Sequence, residues 1–447
     1  MSKRQFHLGI DYGTYASKLV FRDFEAAGGE KAYAVKGKQF RIPSAVGIGP
    51  SEVIFGQNPS GQGLTWIESL KMRLAGAVKH DYNAYYCGPP VPLPPELSEK
   101  ALATLTVWYL ISEGHHAINR YLSSSKRDFA LAITLGVPTS FLNDAALTAA
   151  FVDVARTAYE IYRGYGALPE CTIRRDQAAS LLRDADRAVR SQGPITKDGL
   201  RDWIRTEAEA ALLWPFLSPS VADGPYAKVD VGAGTTNASF FRIAPSSATG
   251  RWLKDRVAFF GACSAPVGMD AVDAALASHE PQVNGNWLAL RGKEEAIMKN
   301  PRAAQSADKV FGRIMSARLE AWERAVPKLL APAEQEAWKN HGIFIIGGGS
   351  TLPPLCHYLD SHSVSGEHYR KYEQVALEQP DDLYLGPAIR VSSEHMPFLS
   401  VAHGLSYPAL AIPEVDLPRD VKPMNYARPE PKRYKRWQEE PDDWRTC

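Results

Sequence analysis

Three glycine turns carry the residues whose types and spacing suit phosphate chemistry. The first is GIDYGT at residues 9–14. An apolar strand delivers Asp11 to a sheet end, and Gly13 lets backbone approach an anion with no Cβ in the way. Successive N–H groups of Gly13, Thr14 and Tyr15 are expected to form an anion-binding concavity. A carboxylate beside it suits hydrated magnesium, which keeps waters and takes few protein carboxylates. The second turn is VDVGAGTTN at residues 229–237. It sets Asp230 at a strand end, Gly232, Ala233 and Gly234 in the turn, and the Thr235 and Thr236 hydroxyls after it. The third is IIGGGSTLPPL at residues 345–355, where a strand runs into Gly347, Gly348, Gly349 and Ser350 and then a helix. Bare backbone at a helix start suits an α-phosphate or a flat nucleoside. Each turn alone also reads as an ordinary hairpin or helix-start loop. Two Asp-Gly turns that clamp phosphates from opposite sides are far more specific than one.

Positioning these turns requires strands before and after them. Residues 5–24 read as strand, tight turn, strand, and residues 226–243 repeat the pattern. Residues 33–48 read as extended, 64–76 as a short amphipathic segment, and 87–97 (CGPPVPLPPEL) as a proline-rich loop. Helices are expected over 98–122, from a cap at Asn143 or Asp144 to about 161, over most of 172–206, over 306–330 and at about 353–360. A buried strand is expected over 129–138. A strand–turn–strand unit opening each half predicts a duplicated α/β core with a cleft between two lobes. From Tyr407 the chain is rich in proline and carries a basic aromatic cluster at 432–437, so an extended or disordered tail is expected.

The three turns, in this order, resemble the phosphate-1, phosphate-2 and adenosine motifs of the actin-like ATPase superfamily. The nearest likeness is to the nucleotide-binding domain of the seventy-kilodalton heat-shock chaperones. IPSAV (42–46) with FGQNP (55–59), SLKMRLAG (69–76), LAITLGVPTSFLND (131–144), TEAEAALL (206–213) and FGACSAPVGMDAVD (260–273) add to it. The last resembles the loop before the second lobe's outer sub-domain. The resemblance spans about residues 6–406 and implies a duplicated ribonuclease-H-like fold around a nucleotide cleft. Lobe I is expected over 1–225, with an outer sub-domain at about 40–100 and an extra helical segment at about 162–203. Lobe II is expected over 226–406, with an outer sub-domain at about 271–325, and the tail over 407–447. The resemblance further implies ATP or ADP with Mg2+, held through water by Asp11 and Asp230. Thr14 and Thr235 would contact phosphate, Lys71 would neutralise the γ-phosphate or orient water, and Glu207 would order water or metal. Taken alone, Lys71 also reads as a solvated helix lysine and Glu207 as a helix-start carboxylate.

The chain has 447 residues, 45% hydrophobic and 23% charged, enough for more than one core. A formal net charge of +1 argues against a field that selects nucleic acid or anionic membrane. No apolar run is long enough to span a bilayer, and the N-terminus lacks the apolar region of a signal peptide. Cys87, Cys171, Cys263, Cys356 and Cys447 are scattered, which suggests no disulfide framework or zinc site and a cytoplasmic location. His115 and His116 are adjacent and do not share a helical face, so no joint metal site is expected. Three functions remain, beside a nucleotide-binding scaffold with negligible turnover. The first is a chaperone-like switch whose cleft closure regulates a protein partner through the tail or the inserted helices. The second is an actin-like filament formed by self-assembly. The third is a small-molecule kinase, for which no clear substrate-base aspartate is visible.

Overall fold

A computed structural model describes residues 3–36, 40–57, 63–79, 91–122, 128–196, 199–217, 221–244, 256–280, 290, 292–329, 338, 341–361, 373–386, 389–409, 414–418 and 420–421. The fold is mixed α/β with several sheets and helices.

The chain opens with β1 (Arg4–Asp11), β2 (Ala16–Asp23), β3 (Lys31–Ala34), β4 (Ile42–Pro43), β5 (Val46–Ile48), β6 (Glu52–Phe55) and β7 (Thr65–Ile67). Helices α1 (Leu70–Val78) and α2 (Glu99–Tyr121) follow, then β8 (Phe129–Val137), α3 (Thr139–Leu142) and α4 (Ala145–Tyr165). Next come β9 (Thr172–Arg174), α5 (Arg175–Ser191), α6 (Leu200–Trp203), β10 (Ile204–Thr206) and α7 (Glu207–Leu217). The second half runs β11 (Gly224–Val231), β12 (Thr236–Ala244), β13 (Arg256–Ala265), α8 (Met269–Ala277), α9 (Glu294–Ile297), α10 (Pro301–Ala325) and β14 (Gly342–Ile346). It closes with α11 (Pro353–Ser361), β15 (Glu373–Gln374), β16 (Leu383–Gly386), β17 (Ile389–Arg390), α12 (Met396–Leu405) and β18 (Glu414–Asp416).

Side-chain caps set several helix starts. Ser98 Oγ accepts the Ala101 N–H at 3.2 Å, and Asp144 Oδ1 accepts those of Ala146 and Leu147 at 2.9 and 3.1 Å. Asp144, not Asn143, therefore caps α4. Thr206 Oγ1 accepts the Glu209 N–H at 2.9 Å, which starts α7 at Glu207.

The largest sheet has the order β10-β8-β1-β2-β3-β16-β17, with β4 also paired to β2. The second has the order β15-β14-β11-β12-β13-β18, and a small antiparallel sheet joins β7, β5, β6 and β9. In both large sheets an antiparallel hairpin (β1–β2, β11–β12) has a parallel strand on the far side of its first member, β8 or β14. One core lies between the first sheet and helices α2 and α4, another between the second sheet and helices α8 and α10. A third fills the space between the two sheets and includes Ala210, Leu212 and Leu213 of α7 and Leu399, Ala402 and Leu405 of α12.

Several expectations change. The segment 64–76 is a strand followed by a helix, whereas the described residues of 172–206 are mostly helical as expected, with the short strands β9 and β10 at the two ends. The stretch 260–273, expected as a loop, holds the end of β13, which runs from Arg256 to Ala265, and the start of α8 at Met269. At Gly261 in β13 a Cβ would lie 2.1 Å from the Ala321 carbonyl oxygen. The glycine admits helix α10 against the strand rather than ending it. The helix expected over 306–330 starts earlier, at Pro301, with Asn300 as its cap. Strands β16 and β17 pair into the first sheet and α12 packs on it, although they lie late in the chain. The stretch expected as a tail begins inside the fold: Tyr407 is buried, and β18 pairs in parallel with β13. Residues 87–90, residues 422–447 with the basic cluster, Cys87 and Cys447 lie outside the described residues. His115 Nδ1 meets the Tyr162 hydroxyl at 2.8 Å and His116 Nε2 the Leu168 carbonyl at 2.8 Å, so the two rings serve separate structural contacts.

Candidate functional site

β1 lies between β2 and β8, and its last residue, Asp11, stands at the sheet end. The hairpin register puts Lys18 opposite Asp11, and Lys18 Nζ donates to Asp11 Oδ2 at 3.0 Å. At Gly13 a Cβ would lie 2.1 Å from the Ala16 carbonyl oxygen, so the tight turn excludes any other residue. The Gly13 N–H, expected in the anion nest, donates instead to the Asp11 carbonyl at 3.0 Å.

The second turn repeats this register. Asp230 on β11 stands opposite Asn237 on β12. The Gly232 N–H donates to the Thr235 carbonyl at 2.9 Å. The carbonyls of Gly232 and Ala233 accept the N–H groups of Met269 and Asp270 at 2.9 and 2.8 Å, which ties the turn to the start of α8. The third turn leaves β14 through Gly347, whose φ is +80°. A Cβ there would lie 2.6 Å from both Asp230 Oδ1 and the Val231 carbonyl oxygen, so glycine is what lets this turn close on Asp230. The Gly347 N–H donates to the Pro397 carbonyl at 3.0 Å, anchoring the turn to α12.

One cleft gathers these pieces. Asp11, Gly13, Thr14 and Tyr15 line it with Asp230, Gly232, Ala233 and Thr235, and so do Gly347, Gly348, Lys71 and Glu207. Four expected residues do not line it. Gly234 packs against Thr14, where a Cβ would sit 3.1 Å from Thr14 Cγ2, so the first two glycine turns touch. Thr236 is buried and donates to the Val267 carbonyl at 2.6 Å. Gly349 is buried against Val231 and Leu355, and Ser350 Oγ donates back to the Gly347 carbonyl at 2.7 Å. These four shape the turns.

Lining residues that the sequence reading missed include Lys18, Arg41, Asn237 and Phe398. The Arg41 guanidinium lies over the Phe398 ring, 4.3 Å from its centroid. Lys18 and Asn237 had a readable signal: each follows its turn aspartate by the same interval, and hairpin register puts such a residue across from it. Arg41 and Phe398 had none, because a long-range fold brings them together.

Lys71 and Glu207 are both buried, at 4% and 5% exposure, and the Lys71 ammonium donates to Glu207 Oε1. The solvated-lysine alternative for Lys71 therefore does not hold, whereas Glu207 is the helix-start carboxylate its position suggested, in a buried setting. Helix α1 buries Leu70, Lys71, Met72, Leu74 and Ala75, which seats the lysine at the cleft wall. Glu207 opens α7, directly after β10. Asn237 Nδ2 donates to Glu207 Oε2 at 3.3 Å, Ser264 Oγ donates to Asn237 Oδ1, and Ser140 Oγ meets Ser264 Oγ at 2.6 Å. This chain of polar contacts links α1 and α7 to β12, β13 and α3. Burial holds the Glu207 carboxyl above its ordinary range; Lys71 opposes that shift, and the charges of Asp11 and Asp230 add to it.

The cleft therefore offers carboxylates from two strand ends, ammonium groups at Lys18 and Lys71, and a carboxyl with raised proton affinity. That set suits a polyanion with a hydrated cation. Among the described residues no group of three or more His, Cys, Asp or Glu side chains is placed to cage a metal alone. A cation here would take ligands from water and substrate, as magnesium does. Among the described residues no helix is long and apolar enough to cross a membrane. No protein-family model matches the chain, and no curated protein matches it in sequence.

Proposed function

We propose that this chain binds ATP in the cleft and hydrolyses it slowly, as a chaperone-like switch of the actin and heat-shock ATPase superfamily. The observation that carries this reading is the convergence of two Asp-Gly hairpin turns, a glycine turn after β14 and the Lys71–Glu207 pair on one cleft. The repeated pattern of hairpin plus outer parallel strand supports a duplicated, ribonuclease-H-like core of two lobes. A closing cleft then transmits nucleotide state to a protein partner.

In this reading Thr14 and Thr235 contact phosphate oxygens. Asp11 and Asp230 would hold a hydrated magnesium ion, which neutralises phosphate charge when bound. Lys71 sets positive charge at the terminal phosphate, where charge must be stabilised in phosphoryl transfer. Glu207 aligns Lys71, and its raised proton affinity suits acceptance of a proton from attacking water.

Free-phosphate release from Mg-ATP, measured against protein concentration, tests the proposal. A slow rate per molecule, independent of concentration and lowered about a hundredfold or more in Lys71→Ala, is expected. A rate per molecule that climbs above a threshold concentration sinks the switch in favour of a filament. Absence of release at every concentration removes autonomous hydrolysis.

A further inference from the structure

Lys228 lies outside every motif that defines the cleft. It sits on β11 two residues before Asp230, so both side chains leave the same face of the strand. Its side chain is 2% exposed, and Nζ lies 3.3 Å from Asp230 Oδ2. Nζ has no hydrogen-bond partner among the described residues, and the hydroxyl of Ser239, opposite it in register, is also buried without one. Phe344 is its neighbour on β14. An ammonium sealed in such surroundings with a single counter-ion is costly, and an apolar side chain would serve packing better. Packing alone therefore does not account for a lysine here.

The first hairpin shows what the position means. The residue two before Asp11 is Gly9, where a Cβ would lie 2.2 Å from the Ala402 carbonyl oxygen of α12. No side chain fits there, and the cation of Asp11 comes from the opposite strand, as Lys18. Each turn aspartate thus has its own lysine, supplied by a different register. The two differ in access: Lys18 lines the cleft, whereas Lys228 is sealed behind Asp230.

We infer that Lys228 is a built-in counter-cation of the proposed nucleotide site and lowers its need for a divalent ion. This rests on the reading of the cleft as a nucleoside triphosphate site. Paired with Lys228, Asp230 repels a polyphosphate less and competes less well for a hydrated cation. Both effects narrow the gap between metal-loaded and metal-free binding.

The test is the affinity of the full-length protein for a fluorescent ATP analogue, by anisotropy, in magnesium and in EDTA. The proteins are the wild type, Lys228→Met and the double variant Lys228→Met/Asp230→Asn. In the wild type, EDTA is expected to weaken binding less than about tenfold. In Lys228→Met the unpaired carboxylate faces the phosphates, and the loss grows to roughly a hundredfold, within the reach of one unscreened charge at close range. The double variant, with neither charge, returns to wild-type behaviour. The wild-type arm needs no variant to fold: a loss above a hundredfold in EDTA overturns the inference. A single variant that tracks the wild type also overturns it, with the nucleotide reading intact. Absence of binding by the wild type in both buffers removes the nucleotide reading and the inference together.

Discussion

Glu207 receives an ammonium hydrogen bond on one oxygen and an amide hydrogen bond on the other. A carboxyl held this way has little rotational freedom, and its partners set both its direction and its charge. Asn237 is the partner with a choice of chemistry, because aspartate has nearly its shape. Asn237→Ala removes one hydrogen bond to a charged group and is expected to lower turnover roughly tenfold to a hundredfold, with KM little changed. Asn237→Asp sets a second carboxylate against Glu207 and raises its proton affinity further. The rate-against-pH limb assigned to Glu207 then moves to higher pH in both variants, because the alanine variant also loses a donor to the carboxylate, and it moves further in the aspartate variant. A purely structural role for Asn237 lowers activity in both without moving that limb.

At the scale of elements, helix α12 is held by devices that the site does not contain. Arg205, buried on β10, donates to the carbonyls of Gly404, Leu405 and Tyr407 at the helix C-terminus. That end carries unpaired carbonyls and negative dipole, which a cation satisfies. Arg205→Met leaves those buried acceptors without partners and is expected to cost about 2–4 kcal/mol in denaturant unfolding. A change below half a kcal/mol would show that water replaces the guanidinium. The α12 contacts also explain Gly404, where a Cβ would lie 1.9 Å from the Ala210 carbonyl oxygen of α7. The two helices touch backbone to backbone there, and α12 in turn holds the Gly347 turn through Pro397.

For the whole molecule, buried charge between the sheets sets the response to acid. Arg22 on β2 donates to Asp382 at 2.6 Å, and His403 and the Tyr407 hydroxyl meet the same carboxylate at 3.0 and 2.9 Å. Burial alone would raise the proton affinity of Asp382, but His403 and Arg22 outweigh it and hold the carboxyl well below its ordinary range. His7 and His341 are pushed down to about 3, chiefly by burial. An unfolded histidine titrates near 6.5, so below that pH the unfolded chain takes up protons that the native state refuses. Stability is therefore full above the unfolded value and falls as pH drops through the window towards the folded one. Each histidine is expected to remove about 2 kcal/mol of unfolding free energy between pH 7 and pH 5. Glu207, shifted upward, works in the opposite sense. His7→Gln, which keeps a polar partner for Thr134, is expected to lose its share of the acid slope in urea titrations at the two pH values. An unchanged slope would place that acid sensitivity elsewhere.

Much of the site was legible as local pattern. A strand ending in aspartate before a glycine turn is a short-range feature, and β1, β2, β11, β12 and β14 form where alternation and turn residues place them. Hairpin register is also local, so Lys18 and Asn237 were available seven residues after Asp11 and Asp230. β13 was expected as a loop by resemblance, and its Gly261 serves a contact with helix α10, far along the chain, that no neighbouring residue announces. The return of β16, β17 and α12 to the first sheet, the seating of Arg41 on Phe398 and the sealing of Lys228 behind Asp230 depend on contacts between segments far apart in the chain. Turn chemistry and strand periodicity act over a few residues and can be read from neighbours. Burial, and the charge pairing that burial enforces, arises only when distant segments exclude water together.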